Sequence, residues 1–243
     1  MNLTVDIGNT KIKYAIFSEK EIVEFQILEK VGKADFAKIT KDFPIKRTIV
    51  SSVLKHAPEF LNYLKERTNF FEYTAETPTP LKNLYATINT LGSDRLTAAV
   101  GAWVENKNED LLVIDFGTCI KYNFISAKAE FLGGGISPGL LMRFKSLNQF
   151  TDRLPIVDFE EDYEKLIGSS TRESILSGVI NGLVAEVDGI INKYKEQYPD
   201  LKSVITGGDA RFFEKRLKNS IFVDQFLVLK GLNEILNFNV KEK

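Results

Sequence analysis

Cysteine, histidine and tryptophan each occur once among the 243 residues, and methionine twice. The lone cysteine, Cys119, excludes an internal disulfide framework and suits a reducing compartment, so a cytoplasmic protein is expected. The lone histidine, His56, has no second histidine with which to ligate a metal, and it reads as a surface loop residue between a strand and a helix. Neither sign of charge dominates. Lys and Arg number 32 against 33 Asp and Glu, a net charge of −1, which leaves no field to draw nucleic acid or an anionic membrane. The uncharged stretch 131–142 is cut by glycines and a proline and is too short to span a bilayer. Asp6 stands where a secretory leader would carry basic residues, so no leader is expected. The two common phosphate-loop signatures, G-x-x-x-x-G-K-[ST] and G-x-G-x-x-G, are absent as well. What remains is an ordinary globular composition, 44% hydrophobic and 27% charged, long enough for one large or two small domains.

The chain is organised around Asp6-Ile7-Gly8-Asn9-Thr10, followed by Lys11, Ile12 and Lys13. Leu3 and Val5 read as a strand entering a tight turn, and Ile12, Tyr14 and Ile16 alternate as a strand leaving it. Gly8 and Asn9 tolerate turn conformations, and Thr10 adds a hydroxyl. Such a turn can be an ordinary hairpin. It can also offer its amides to phosphate oxygens, with Asp6 at the strand end holding a hydrated cation. The chain then repeats itself: residues 5–18 read VDIGNTKIKYAIFS and residues 113–126 read VIDFGTCIKYNFIS. With one residue skipped, Asp115, Gly117, Thr118 and Lys121 fall on Asp6, Gly8, Thr10 and Lys13. Two such units in equivalent places suggest an internal duplication. The resemblance is to the actin, hexokinase and Hsp70 superfamily, in which two turns facing a cleft grip a polyphosphate. It implies two duplicated RNase H-like α/β domains, here 1–110 and 111–243.

The rest of the chain supplies α/β signals in order. Strands are expected at 22–28 and 47–53, and helices at 33–42 and 58–67. A polar stretch, 74–90, leads to Gly92-Ser93-Asp94-Arg95 at the head of an apolar helix. An acid there is either a dipole partner of the helix or a carboxylate placed to take a substrate proton. After the second hairpin, the glycines of 133–139 precede a helix expected to start near Ser137. They read either as a flexible connection or as backbone that lets a ligand approach. The helix from Thr171 to about residue 194 carries apolar residues at three- and four-residue spacing. Its Gly178 and Gly182 permit close approach of another helix, inside the domain or from a second copy. Val204-Ile205-Thr206-Gly207-Gly208-Asp209 reads as a strand into a turn against which an adenine or ribose could lie.

Taken together these residues resemble a type III pantothenate kinase over nearly the whole chain. The family's D-x-G-N-T-x-x-K is met by Asp6, Gly8, Asn9, Thr10 and Lys13. Its G-A-D-R is met by Gly92, Ser93, Asp94 and Arg95, and its D-x-G-T by Asp115, Gly117 and Thr118. The G-G-x-I-x-P-G segment, Leu154-Pro155, Thr171 with Ser177-Gly178, and Thr206-Gly207-Gly208 follow in family order. The resemblance implies ATP-dependent phosphorylation of pantothenate, the opening step of coenzyme A synthesis, by a homodimer. It implies Mg²⁺ and a monovalent cation, K⁺ or NH₄⁺. It places ATP phosphates on Asp6, Ile7, Gly8, Asn9, Thr10, Lys11, Ile12, Lys13 and Thr118, and makes Asp94 the proton acceptor. Tyr85, Gly92, Ser93, Asp94, Arg95 and Thr171 would line the pantothenate pocket, and Asp115 would hold the monovalent cation. Three places depart from the family: Thr87-Ile88 stands where Asn-Pro is usual, and Cys119, Lys121 and Asn123 alter the second repeat, as Ser93 does the G-A-D-R. Another superfamily kinase, a phosphohydrolase and a non-catalytic regulatory protein are the rival readings. Three retained aspartates, which repel one another unless a cation is bound, speak against the last.

Overall fold

The first hairpin forms where the alternation puts it. In the computed structural model, which describes residues 1–8, 11–29, 32–52 and 59–241 (backbone only at 33 and 241), β1 (Asn2–Ile7) pairs antiparallel with β2 (Ile12–Ser18). β3 (Glu21–Leu28) extends the sheet on one side. On the other, β4 (Arg47–Ser52) and β5 (Asn69–Glu72) run parallel, for the order β3-β2-β1-β4-β5. Leu3, Val5 and Ile7 of β1 face α1 (Lys33–Asp42) and α2 (Phe60–Arg67), whose Phe36 and Phe60 stack at 4.5 Å in a buried cluster with Leu61 and Leu64. His56 and Val53 lie outside the described residues.

The chain packs as two units that do not follow it linearly. One comprises Met1–Lys107, Ala129–Phe131 and Phe226–Lys243; the other comprises Asn108–Lys128 and Leu132–Gln225. In the first, α3 (Ser93–Glu105) is held by the last helix of the chain, which we label α7 (Leu227–Lys241). The crossing is so close that a Cβ on Gly101 would lie 2.0 Å from the carbonyl oxygen of Leu227, and one on Gly231 1.8 Å from that of Thr97. Only glycine lets the two backbones meet there. Asn2 of β1 also donates to Asn233 and Asn237 of α7, at 2.8 and 3.1 Å, which satisfies buried amides on the sheet's second face. A short strand β6 (Lys82–Asn83) runs parallel to Glu130 and Phe131 of β9 (Glu130–Gly133).

The second unit repeats the plan: β7 (Leu111–Phe116), β8 (Cys119–Ser126), β11 (Lys202–Gly207) and β12 (Phe222–Val223) lie in the order β8-β7-β11-β12, matching β2-β1-β4-β5 in both order and direction. The registers agree as well. Asp6 faces Lys13 across the first hairpin and Asp115 faces Lys121 across the second. The single residue skipped in aligning the two repeats lies in the turn, which the second hairpin closes one residue sooner. The helix expected near Ser137 begins later, because 136–138 forms β10 (Ile136–Pro138) on β8 and α4 (Leu140–Gln149) starts behind Gly139. α5 (Thr171–Gln197) buries Leu176, Ile180, Leu183, Val187 and Ile191 in this unit's core, and α6 (Ala210–Glu214) adds Phe212 and Phe213. Among the described residues α5 is the one helix long and apolar enough to cross a membrane. Its other edge carries exposed small residues: Thr171, Ser174, Gly178, Gly182, Ala185 and Gly189. Beyond the helix's own nearby backbone, a Cβ on any of the three glycines would meet none of the described residues within 4 Å. Among the described residues nothing packs on Gly178 and Gly182, whereas Gly101 and Gly231 let α3 and α7 cross.

Candidate active site

Two strand ends and one helix start build the first part of the site. Asp6 is the penultimate residue of β1 and half-buried, and Gly8, just past the strand, donates its N–H to the Lys11 carbonyl at 3.1 Å. Lys11 is exposed, Ile12 and Lys13 are half-buried, and Asn9 and Thr10 lie outside the described residues. In the parallel pairing Asp6 lies beside Ser51 of β4, a fully buried residue whose hydroxyl donates to Ser93 Oγ at 2.9 Å. That bond ties the N-terminus of α3 to the strand next to Asp6, and it gives the serine in place of the family's alanine a physical use. The helix start therefore sits at the carboxyl end of the sheet, where α/β proteins place their ligands.

Asp94 follows in the first turn of α3, half-exposed. Its carboxylate lies over Gly92, so closely that a Cβ on Gly92 would stand 2.7 Å from Asp94 Oδ1. Gly92→Ala is therefore expected to push the carboxylate aside without disturbing the backbone. If this carboxylate takes a substrate proton, kcat is expected to fall on the order of 10- to 100-fold, as small displacements of a reacting group do, with the thermal midpoint within a degree or two of wild type by circular dichroism. An unchanged kcat would show that the position of this carboxylate does not matter.

Tyr85 is brought to the same place by Arg95. The Arg95 side chain is only 4% exposed; its guanidinium lies 5.3 Å from the Tyr85 ring centroid, and Nη1 donates a long bond of 3.5 Å to the Tyr85 hydroxyl. The Tyr85 N–H donates to Asn83 Oδ1 at 3.0 Å, fixing the loop at β6. Where Asn-Pro is usual in the family, a turn of 3-10 helix (Ile88–Thr90) follows, held by Thr90 Oγ1 donating to the Thr87 carbonyl at 2.9 Å. Beneath it, Tyr73, Ile88, Leu91 and Ser93 line part of a small cavity of about 30 Å³.

The second unit carries the second turn. Gly117 donates to the Cys119 carbonyl at 3.2 Å, leaving Thr118 exposed at the tip. Asp115, whose side chain is 14% exposed, is ion-paired with Lys121, the Nζ–Oδ2 distance being 2.8 Å. Beside them lies an acid that the sequence reading did not single out. Asp209 follows the Thr206-Gly207-Gly208 turn and donates its N–H to the Phe116 carbonyl at 3.2 Å; Gly207, at φ +99°, packs its bare Cα on the same carbonyl. Burial, and then the charge of Asp115, hold the Asp209 carboxyl above its ordinary pKa. The acid has no counterpart in the first repeat, where the equivalent strand ends in Ser51-Ser52, so the duplication gave no signal for it.

A carboxyl with a raised folded-state pKa favours folding when protonated; the wild type therefore loses this contribution as pH rises above 3.8, the ordinary value, through the folded one. Asp209→Asn has no such loss. It is expected to melt above wild type at pH 7 and to lose that advantage at pH 3, measured by thermal denaturation at both. Equal midpoints at pH 7 would refute the burial penalty. Thr171, the last of the expected site residues, is exposed at the first position of α5, behind an N-cap in which Ser170 Oγ accepts from the Glu173 N–H at 3.2 Å.

Two repeated units of this strand order, each with an acid-bearing strand leading into a glycine turn, define the duplicated RNase H-like fold of the actin-like ATPases and sugar kinases. Among solved structures, this chain is similar to a ROK hexokinase from Thermus thermophilus (13% identity, TM-score 0.52, 98% of this chain and 99% of that one). It is also similar to a Baf family protein from Campylobacter jejuni (22%, TM-score 0.63, 98% and 99%). Sequence comparison narrows the class. The family model described as type III pantothenate kinase matches residues 2–193, and a type III pantothenate kinase of Phocaeicola vulgatus is 44% identical over 99% of this chain and 100% of its own length. The chain belongs to the type III pantothenate kinase family.

Proposed function

We propose that this protein transfers the γ-phosphoryl group of ATP to the primary hydroxyl of pantothenate, the first step of coenzyme A biosynthesis, in the cytoplasm. The observation that carries the reading is the Asp94 carboxylate over Gly92, on a helix start tied through Ser93 and Ser51 to the strand beside Asp6, in a chain of this family. Purified protein given ATP, Mg²⁺ and a panel of hydroxy acids is expected to form ADP with pantothenate and not with the others. ADP release without any acceptor would make it a phosphohydrolase; turnover of a different hydroxy acid would make it another kinase.

In this reading Asp94 accepts the hydroxyl proton late in transfer, which an ordinary carboxylate can do. The turn from Asp6 to Lys13 and the hydroxyl of Thr118 hold phosphate oxygens, the lysines answering charge that spreads over the transferring group. Tyr85, Gly92, Ser93, Arg95 and Thr171 bind pantothenate. Among the described residues no three His, Cys, Asp or Glu side chains converge as a metal cage. A single carboxylate such as Asp6, with substrate phosphates for the remaining positions, is nonetheless a donor set that Mg²⁺ accepts, and the ion would there neutralise phosphate charge. The monovalent cation fits less well. An oxygen of Asp115 already accepts from the Lys121 ammonium, so we assign to Lys121 the charge that K⁺ or NH₄⁺ would bring.

The bare glycine edge of α5 supports a two-fold dimer in which this helix meets its copy, an isologous contact. Gly178→Leu has room in the isolated chain, so it is expected to fold and to sediment as a monomer, with pantothenate binding weakened at least about tenfold and ATP binding kept. Wild-type protein that is monomeric at micromolar concentration in sedimentation would end the dimer proposal.

A further inference from the structure

The second turn leans on the chain that follows β10. Its seat is Gly139, whose N–H donates to the Thr118 carbonyl at 3.1 Å and whose missing Cβ would stand 2.2 Å from the Gly117 carbonyl oxygen. Gly139 can approach so closely only if the residues before it are held; the β10–β8 pairing holds their backbone on one side, and one side chain braces it from the other elements. Arg143, one turn into α4, donates from Nε to the Pro138 carbonyl at 2.9 Å and from Nη2 to Ser137 Oγ at 2.8 Å. The same Nη2 reaches Glu186 Oε2 of α5 at 2.6 Å, and the other Glu186 oxygen accepts from the Tyr122 hydroxyl of β8 at 3.3 Å. The Arg143 and Glu186 side chains are 22% and 29% exposed, so these charge-assisted bonds are only partly screened. β10 lies on β8 in a register that sets Pro138 opposite Cys119, the first residue of β8 after the turn. A guanidinium fork thus joins α4, α5, β8 and β10 behind the backbone that carries Thr118.

We propose that Arg143 is a positioning residue for nucleotide binding: held by Glu186, it fixes the 137–139 backbone, and Gly139 in turn fixes the second phosphate turn. It touches no substrate itself. The proposal rests on the reading of that turn as a phosphate holder. No single donor of another kind replaces Arg143, because the three acceptors lie around one planar group and a lysine can reach them only as a point charge.

Arg143→Met keeps much of the stem and the helix propensity while removing all three bonds. Its apparent KM for ATP is expected to rise on the order of tenfold, as for misplacement of a binding group by a fraction of an ångström to one ångström. KM for pantothenate should be unchanged. Arg143→Lys is expected to restore little of the loss, and Glu186→Gln, which keeps the shape of the acceptor but not its charge, to give a smaller rise in the same direction. A merely structural arginine would lower the melting temperature and move both KM values together, or neither; either result overturns the proposal. If Arg143→Met does not fold, Glu186→Gln decides by the same split. Thr118→Ala separates the two levels. A rise in ATP KM for Thr118→Ala but not for the Arg143 and Glu186 variants removes the positioning role and leaves the turn's function standing. No rise in any of them removes both.

Discussion

Asp94→Asn is expected to lower kcat for pantothenate phosphorylation on the order of 10²- to 10⁴-fold, the usual worth of a positioned proton acceptor. The amide has the shape of the carboxylate and fits over Gly92 in the same space, but it cannot take a proton. The fold should not notice. α3 is fixed at its start by the Ser51–Ser93 hydrogen bond and along its length by the glycine crossing with α7, and loss of a first-turn acid costs a helix only a few tenths to about 1 kcal/mol. ATP binding, measured by titration calorimetry, should persist. A kcat within threefold of wild type would reduce Asp94 to a helix-dipole partner.

Lys121→Thr is expected to make activity dependent on potassium, by tenfold or more between potassium-free and potassium-containing buffer, whereas wild type should work appreciably without it. The argument is electrostatic. Asp115 is largely buried and its oxygen lies 2.8 Å from the Lys121 ammonium; removing one partner of such a pair leaves a buried charge, at a cost on the order of a few kcal/mol. An ion that binds the vacated oxygen recovers that cost by mass action. Potassium should accordingly also raise the melting temperature of Lys121→Thr more than that of wild type, a readout independent of turnover. Identical potassium curves for the two proteins would sink the idea.

The duplication was legible because its cause is local. Alternating apolar residues on both sides of a glycine turn produce a hairpin wherever they occur, and the two copies, Asp6/Lys13 and Asp115/Lys121, were folded into identical register. The same holds for Asp94, since the apolar periodicity after Arg95 could only begin a helix there. The family motifs then carry the proposal of which chemistry these turns serve. Asp209 reads only as the end of a glycine turn, and its place beside Asp115 stayed hidden for the opposite reason. A single acid after two glycines has no period, and its significance comes from Phe116 and Asp115, far away in the chain.

By itself, then, the sequence determined the class of fold, the two glycine turns, the acid at the head of α3 and the family, all written in spacings of a few residues. Only the tertiary structure decided that the last helix closes on α3 in the first unit, that Arg95 is buried under Tyr85, and that Lys121 is spent on Asp115. It also decided that the glycines of α5 look outward while Gly101 and Gly231 let helices meet. Each of these depends on which backbones come within a few ångströms of one another. Spacing along the chain fixes the face a residue shares, but not what is brought against that face.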